Sequence, residues 1–441
     1  MSDATLQSLE GQILATLIVV YVLAFAIRRL KAQRPELRIG LPVAIGVAAR
    51  LAASACVAAS GLSSTLRGGD ETTFLAQSHH LAAMSWDSGF WIPDGVHHLY
   101  EVLFAVQLKL AGFTPGALRV SQVGIAMLGV VLIVAAIDDL AGARAARLGA
   151  WVLALEPAGL FFDSALHKEP LMMLASGLVV FGGARIWRRL DLSGVLIAGL
   201  GGLVALETRP YAGWFLVSAI VLLVLHYALR RPARPLRAMP LLYAVVLVAC
   251  LAAPALNQVT SSHSLRSLQQ SQNANANPSP ETRNGAPNGN NLALEQVNFS
   301  TRSAVVTNLP RRIRDVLFRP YPWQLQDISQ QLGAIGSVVG LAALAFLFGY
   351  AWRSRGRIFA RAGPIIYPLA FLLIAYALSV GNAGTGFRYR THLITLAIAV
   401  LVVLREHVLD GAAAREPSAE HPSRSPIADA RASSPAQPAK L

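Results

Sequence analysis

The feature that most constrains this chain is a series of apolar runs, many of membrane-spanning length. They fall at about 12–28, 41–61, 98–112, 118–138, 145–162, 170–187, 192–206, 211–228, 238–256, 331–351, 363–380 and 389–404. A helix needs roughly 20 apolar residues to cross a bilayer, with about 17 as the practical minimum. A water-soluble fold has nowhere to bury so many. With 54% hydrophobic residues, 14% charged residues and a mean hydropathy of +0.48, the composition is that of an all-α polytopic helical membrane protein. The net charge of +14 would suit a nucleic-acid partner if it were spread over a soluble surface. Instead, Lys and Arg gather in short clusters beside apolar runs, as orientation signals do, so no nucleic acid is expected. Cys56 and Cys250 each lie within an apolar run and form no disulfide or zinc pattern. Residues 1–10 contain no Lys or Arg, so the first run lacks a signal peptide's basic flank and is expected to be a retained helix.

Charge sorts the runs into spans. Arg28, Arg29, Lys31, Arg34 and Arg38 follow the first run and place that loop in the cytoplasm, with the N-terminus outside. The 98–112 run is short and carries His97, His98, Glu101, Gln107 and Lys109 along one face, which predicts a surface-lying amphipathic helix. With it excluded, the clusters Arg144/Arg147, Arg185/Arg188/Arg189, Arg230/Arg231/Arg234/Arg237, Arg353/Arg355/Arg357/Arg361 and Arg405 all become cytoplasmic. The reading is about eleven spanning helices in a cell (inner) membrane, N-terminus out and C-terminus in. Arg50, inside the second run, is expected to snorkel to the interface.

The organisation then reads as follows. Residues 1–40 form an extra N-terminal helix and cytoplasmic loop, and 41–256 a membrane module with a first outer loop at 62–117. A long outer loop at 257–330 has an Asn-, Pro- and Gly-rich middle, read as disordered or a mobile lid over 268–293. C-terminal spans occupy 331–410, and 411–441 is expected to be a disordered cytoplasmic tail.

The outer connections hold the chemistry. Arg67-Gly68-Gly69-Asp70-Glu71 puts two adjacent carboxylates after a Gly pair expected to turn the backbone sharply. A second acidic station runs from Asp163 through His167 and Lys168 to Glu169. Arg311, Arg312, Arg314, Arg319, Arg388 and Arg390 lie on the wrong side for orientation signals. A guanidinium fork matches phosphate oxygens, so these arginines suit a lipid phosphate; they could instead pair with Asp163, Glu169, Glu207 and Asp315 to hold loops together. Likewise, Asp70 and Glu71 could be a helix N-terminal pair for a segment starting at Thr72. Tyr321 and Trp323 fit an interfacial belt, and the histidines at 79, 80, 97 and 98 fit interfacial packing. Two acidic loops facing a basic one suit a reaction in which a base deprotonates an acceptor hydroxyl while cations hold an anionic leaving group. A divalent ion, Mg²⁺ or Mn²⁺, held by Asp70 and a residue of the second loop is compatible with oxygen ligands, though the spacing does not require it.

Taken together, residues 41–230 resemble the integral-membrane glycosyltransferases of the C superfamily, the mannosyl- and arabinosyltransferase-like enzymes that use polyprenyl-phosphate sugars. Asp70-Glu71 matches the acidic motif of the first outer loop, segments 71–84 and 98–112 match the surface helices, and Pro157 to Glu169 resembles the helix-end proline with the second motif. The 12–28 helix is an addition, and His167-Lys168-Glu169 departs from the usual second motif, leaving Asp163 and Glu169 as alternatives for that role. The resemblance implies Asp70 as general base or metal ligand and Glu71 as its partner. Arg388 and Arg390 would hold the donor phosphate. Candidate catalytic residues are thus Asp70, Glu71, Asp163 and Glu169. Candidate substrate-binding residues are His167, Lys168, Arg209, Arg311, Arg312, Arg319, Arg388 and Arg390. The expected partners are a polyprenyl-phosphate-linked sugar and a glycan, lipid or protein acceptor. A lipid-linked polysaccharide polymerase or ligase is the alternative. A transporter ranks behind both, on the expectation that apart from Arg50 the spans are free of mid-membrane charge.

Overall fold

The computed structural model describes residues 3–60, 63–91, 99–230, 269–270, 294, 297–299, 301–319, 321, 323, 325, 328–381 and 383–413. Among them there is no strand. The helices, in order, are α1 (Asp3–Gln33), α2 (Gly40–Ala59), α3 (Ser63–Ala83), α4 (Ser88–Trp91), α5 (Leu99–Ala111), α6 (Pro115–Ala154), α7 (Pro157–Phe162), α8 (Glu169–Arg188), α9 (Leu192–Thr208), α10 (Pro210–Arg230), α11 (Arg302–Phe318), α12 (Ile328–Arg353), α13 (Ile358–Ser379) and α14 (Ala383–Ala413). Eight of these described helices are long and apolar enough to span a membrane: α1, α2, α6, α8, α10, α12, α13 and α14. Large apolar side chains such as Leu17, Tyr21, Leu200, Phe346 and Phe348 stay exposed on the bundle's outside, a surface suited to lipid and not to water. The chain is an all-α polytopic membrane protein.

Helix α6 is longer than any single crossing needs, and Gly142 explains why. Its φ of 83° and ψ of 174° break the helix, a left-handed φ that glycine adopts without a Cβ penalty. Beyond it the chain folds back. Gly149 comes to lie against Ile137, and Met127 and Ala154 meet at the same glycine, Gly46 of α2. The runs 118–138 and 145–162 are therefore two limbs of a hairpin, the second interrupted at Leu155-Glu156 and resumed as α7. With α9 as a short apolar helix of 17 residues, ten of the eleven expected runs coincide with described helical segments. The eleventh, 238–256, lies outside the described residues, as do 271–293 of the long loop and the tail from 414. The 98–112 run becomes α5, whose 13 residues are too few to cross.

Helix α6 is the spine, packed against α1, α2, α8 and α14. Contact with α8 is backbone to backbone. A Cβ on Gly177 would sit 2.5 Å from the Gly129 carbonyl oxygen, and one on Gly129 would sit 2.5 Å from that of Met173. In lipid, where no hydrophobic gradient drives helices together, such close approach supplies the packing energy.

Two expectations fail here for physical reasons. Asp70 and Glu71 do not stand in a glycine turn or at a helix start, but lie within α3. Each glycine costs about 1 kcal/mol of helix propensity relative to alanine, yet α3 packs along α5, with Phe74 edge-on to Tyr100 at 5.1 Å, and tertiary contact prevails. Nor does Arg50 snorkel. It is 1% exposed, and its guanidinium bonds Asp163 Oδ2 through Nε (3.1 Å) and Nη2 (3.0 Å) and the Gly46 and Ala154 carbonyls through Nη1. A carboxylate 113 residues downstream supplies what the interface would have offered.

Candidate functional site

At one end of the bundle, four carboxylates each meet one cation. Asp70 Oδ2 accepts from Arg388 Nη1 at 2.6 Å. Glu71 pairs with Arg119 of α6 through one oxygen and accepts the Leu166 backbone N–H through the other at 3.1 Å. Glu101 of α5 lies 3.9 Å from Lys168. Glu169, at the start of α8, accepts from Arg209 Nη2 at 2.6 Å. These pairs draw together α3, α5, α6, α8, the α9–α10 junction and α14, elements far apart in sequence.

The elements explain the placement. Pro170 opens α8 just inside its start, which sets Glu169 in the first turn, where a carboxylate favours the helix dipole. Arg209 sits at the non-helical link between α9 and α10, with Pro210 behind it. Its guanidinium lies over the Tyr389 ring at 4.4 Å, and Tyr389 stacks on Tyr376 at 4.5 Å. The Tyr376 hydroxyl is 3.2 Å from His392 Nδ1, and His392 Nε2 is 3.1 Å from the Glu169 carbonyl oxygen. Tyr389 and His392 of α14 and Tyr376 of α13 thus brace the Glu169–Arg209 pair.

Electrostatics grade the pairs. Glu169 is 0% exposed and Arg209 9%, whereas Asp70 is 51% exposed and Arg388 21%. Burial alone would raise the Asp70 carboxyl, but the Arg388 charge and hydrogen bond, aided by His167, hold it below its ordinary value. Burial and then the charges of Glu169, Glu71 and Glu101 push the Tyr100 hydroxyl well above its ordinary value, so at neutral pH it keeps its proton. Among the described residues, buried polar atoms without a hydrogen-bond partner in this region include Tyr100 Oη, Arg119 Nε, Glu169 Oε2 and Arg209 Nη1. They comprise an acceptor, donors and a hydroxyl whose bonding capacity is not used within the cluster.

The other expected residues divide. His167 is buried and within electrostatic reach of Asp70 and Glu169; Lys168 lies over the Phe74 ring at 5.0 Å. Asp163 turns away to Arg50, so Glu169 is the acid that the second station brings to the cluster. Arg388 and Arg390 do not act together: two residues apart on a helix means about 200° of rotation. Arg390 bonds the carbonyls of Val316 (2.9 Å) and Arg319 and the Ser337 hydroxyl, tying α14 to the end of α11. On α11, Arg312 is 1% exposed and 4.0 Å from Asp315, which also takes Arg314 at 3.1 Å and Arg319 at 3.4 Å. Burial holds the Arg312 guanidinium down to about 10 against the pull of Asp315. Arg311 stays on the exposed face. The loop-holding role therefore accounts for Arg312, Arg319 and Arg390.

Arg119, Tyr100 and the α13–α14 tyrosines were not legible as site residues. A lone arginine near the start of an apolar helix carried a signal, but only its partner gives it meaning. No group of three or more His, Cys, Asp or Glu side chains able to hold a metal occurs among the described residues. A divalent ion on Asp70 would have to displace Arg388. No protein-family model matches the chain, and no curated protein matches its sequence. Fold and cluster alone define the class, a polytopic helical membrane protein with a balanced acid–arginine site at one end.

Proposed function

We propose that this protein is an integral-membrane glycosyltransferase that moves a sugar from a polyprenyl-phosphate carrier to an acceptor at the outer face of the membrane. The observation that carries the reading is the meeting of the two acidic stations, Asp70-Glu71 and Glu169, with Arg388 and Arg209 in one cluster. The side assignment rests on exposed basic residues gathered at the other end, as cytoplasmic ends favour.

The cluster's charges balance, so an arriving phosphate must take a cation from an existing pair. Asp70–Arg388 is the exposed one, and exposed pairs are worth about 0–1 kcal/mol. The lipid phosphate draws Arg388 away, and Asp70 is left as a free carboxylate beside the acceptor. Asp70 accepts the hydroxyl proton as the acceptor oxygen bonds to the anomeric carbon. The bond from that carbon to the phosphate oxygen breaks through an oxocarbenium-like state, and the departing lipid phosphate stays on Arg388. The buried Glu169–Arg209 pair holds the fixed field and positions the sugar.

The test is binding of a short-chain polyprenyl phosphate, with the matching alcohol as control. Arg388→Gln is expected to weaken binding about tenfold or more, consistent with loss of a charge-assisted bond worth about 1.5–3 kcal/mol. Asp70→Asn is expected to tighten it, up to about fivefold, because the competing carboxylate is gone. Equal binding of phosphate and alcohol would sink the reading.

A further inference from the structure

A second group of buried charges lies apart from the cluster and takes no part in the proposed reaction. Arg50 reaches from the middle of α2 into the break between α6 and α7. Glu156 caps α7: its carboxylate accepts the Ala158 N–H at 3.1 Å and the Gly159 N–H. Asp163 closes α7 and takes Arg50 through Oδ2 alone. The three meet at Gly159, where an added Cβ would lie 3.0 Å from Arg50 Nη2 and 3.1 Å from both Asp163 Oδ2 and Glu156 Oε2. Exposures are 1%, 2% and 0% for Arg50, Glu156 and Asp163.

Two carboxylates and one guanidinium leave one negative charge uncompensated. Among the described residues, no second cation acts on the two carboxylates. At the level of α7, α12 contributes Gly336 and Val339 and α14 contributes Ile398, all uncharged. Glu169 adds further negative charge at longer range, but Arg209 neutralises it. An uncompensated buried ion costs several kcal/mol even after relaxation, more than taking up a proton from neutral water. Of the four carboxylate oxygens, Asp163 Oδ1 is buried without a partner, while the other three accept hydrogen bonds. A metal cation would need several such open oxygens; a proton needs one.

We infer that Arg50, Glu156 and Asp163 form an intramembrane proton-binding site that holds one proton, shared by the two carboxyls, at neutral pH. An apolar pocket of about 330 Å³, lined by Trp151, Val152, Leu155, Pro157 and Val339, opens on Glu156 from the lipid-facing side. The site lies at the root of the segment that carries His167 and Glu169, so its proton fixes how that segment is anchored to α2.

Infrared spectroscopy of the full-length protein in lipid at neutral pH tests this. The wild type is expected to show a protonated-carboxyl C=O band that disappears in Glu156→Gln and, separately, in Asp163→Asn, since either change leaves one carboxylate for one guanidinium. Arg50→Gln is expected to enlarge the band, because both acids must then be neutral. A second readout follows from linkage. The folded state holds a proton that the unfolded carboxyls release above about pH 4, so wild-type thermal stability should fall as pH rises toward and past neutrality. Either carboxamide variant should flatten that slope. A wild-type spectrum with no band that either variant removes would overturn the site, as would a pH slope unchanged in both. Lipid-phosphate binding is not part of this test, so the site stands or falls independently of the enzymatic reading.

Discussion

The two ends of this bundle both carry arginines paired with acids, yet they are built differently. At the site end, Glu169 and Arg209 are 0% and 9% exposed and Glu71 and Arg119 7% and 18%. At the opposite end Asp139 receives Arg34 at 2.6 Å and also Arg188, and Asp191 lies 3.4 Å from Arg185 and 3.7 Å from Arg189. There Arg188 is 61% and Arg189 75% exposed. The site end joins elements distant in sequence, with Glu169–Arg209 and Glu71–Arg119 largely desolvated. The opposite end shares few acids among many solvated arginines and mainly finishes helices, as Asp191 does by capping α9 at Gly194 N–H (2.7 Å). Identical residue types thus tie distant elements together through buried pairs such as Glu169–Arg209 at one end, and share acids among more solvated arginines such as Arg188 and Arg189 at the other.

The largest effect is expected where a buried pair is broken. Arg209→Gln strands Glu169 without its cation and should destabilise the protein by about 3–5 kcal/mol. Thermal unfolding in detergent measures it, and adding Glu169→Gln should recover much of the loss. A single variant with wild-type stability would show that the pair is not desolvated, and the contrast between the ends would fail.

Asp70→Asn is expected to be the largest change in rate with little change in stability. A positioned base contributes about 10²–10⁴-fold, so transfer of labelled sugar from a polyprenyl-phosphate donor should fall by that range while folding survives. Full transfer activity in this variant would shift the reading to the polymerase or ligase class. Arg390→Lys should act oppositely. It keeps the charge but loses the fork that spans Val316, Arg319 and Ser337, costing about 1.5–3 kcal/mol of stability and leaving lipid-phosphate affinity nearly unchanged.

These contrasts mark what the chain's order of residues could reveal. The apolar runs and their flanking arginines disclosed the helices and both limbs of α6, because span length and charge asymmetry are local properties. The acidic stations were legible because carboxylates between apolar runs need a reason. What stayed hidden was pairing. Arg50 looks like a snorkelling residue until Asp163, 113 positions away, is set beside it. Arg388 and Arg390 look like one phosphate clamp until helical rotation sends them to different neighbours. The Gly68-Gly69 pair looks like a turn, because local propensity cannot report that α3 packs on α5.

Asp70 also gives a small pH effect. Its carboxyl is held below its ordinary value by Arg388, so its contribution to stability is present above the unfolded carboxylate range, near pH 4. That contribution is lost as pH falls through the lower folded value. The side chain is half exposed and solvent screens the pair, so the loss should stay within about 1 kcal/mol. Comparing unfolding curves of wild type and Asp70→Asn between neutral and acid pH isolates it, and a larger acid loss in the variant would reverse the sign.

The smallest effect belongs to the opposite end. Arg188 is 61% exposed and shares Asp139 with Arg34, so Arg188→Ala leaves that carboxylate with a cation still 2.6 Å away. No charge is stranded, and the side-chain entropy released offsets part of the lost attraction. Stability should change by less than about 1 kcal/mol and the difference should shrink further in salt, whose screening length is about 8 Å at physiological strength. The Arg209 variant should keep its deficit in the same salt, because a desolvated pair is poorly screened. Equal salt sensitivity at both ends would mean that burial does not divide them, and the functional weight placed on the site end would lose its physical ground.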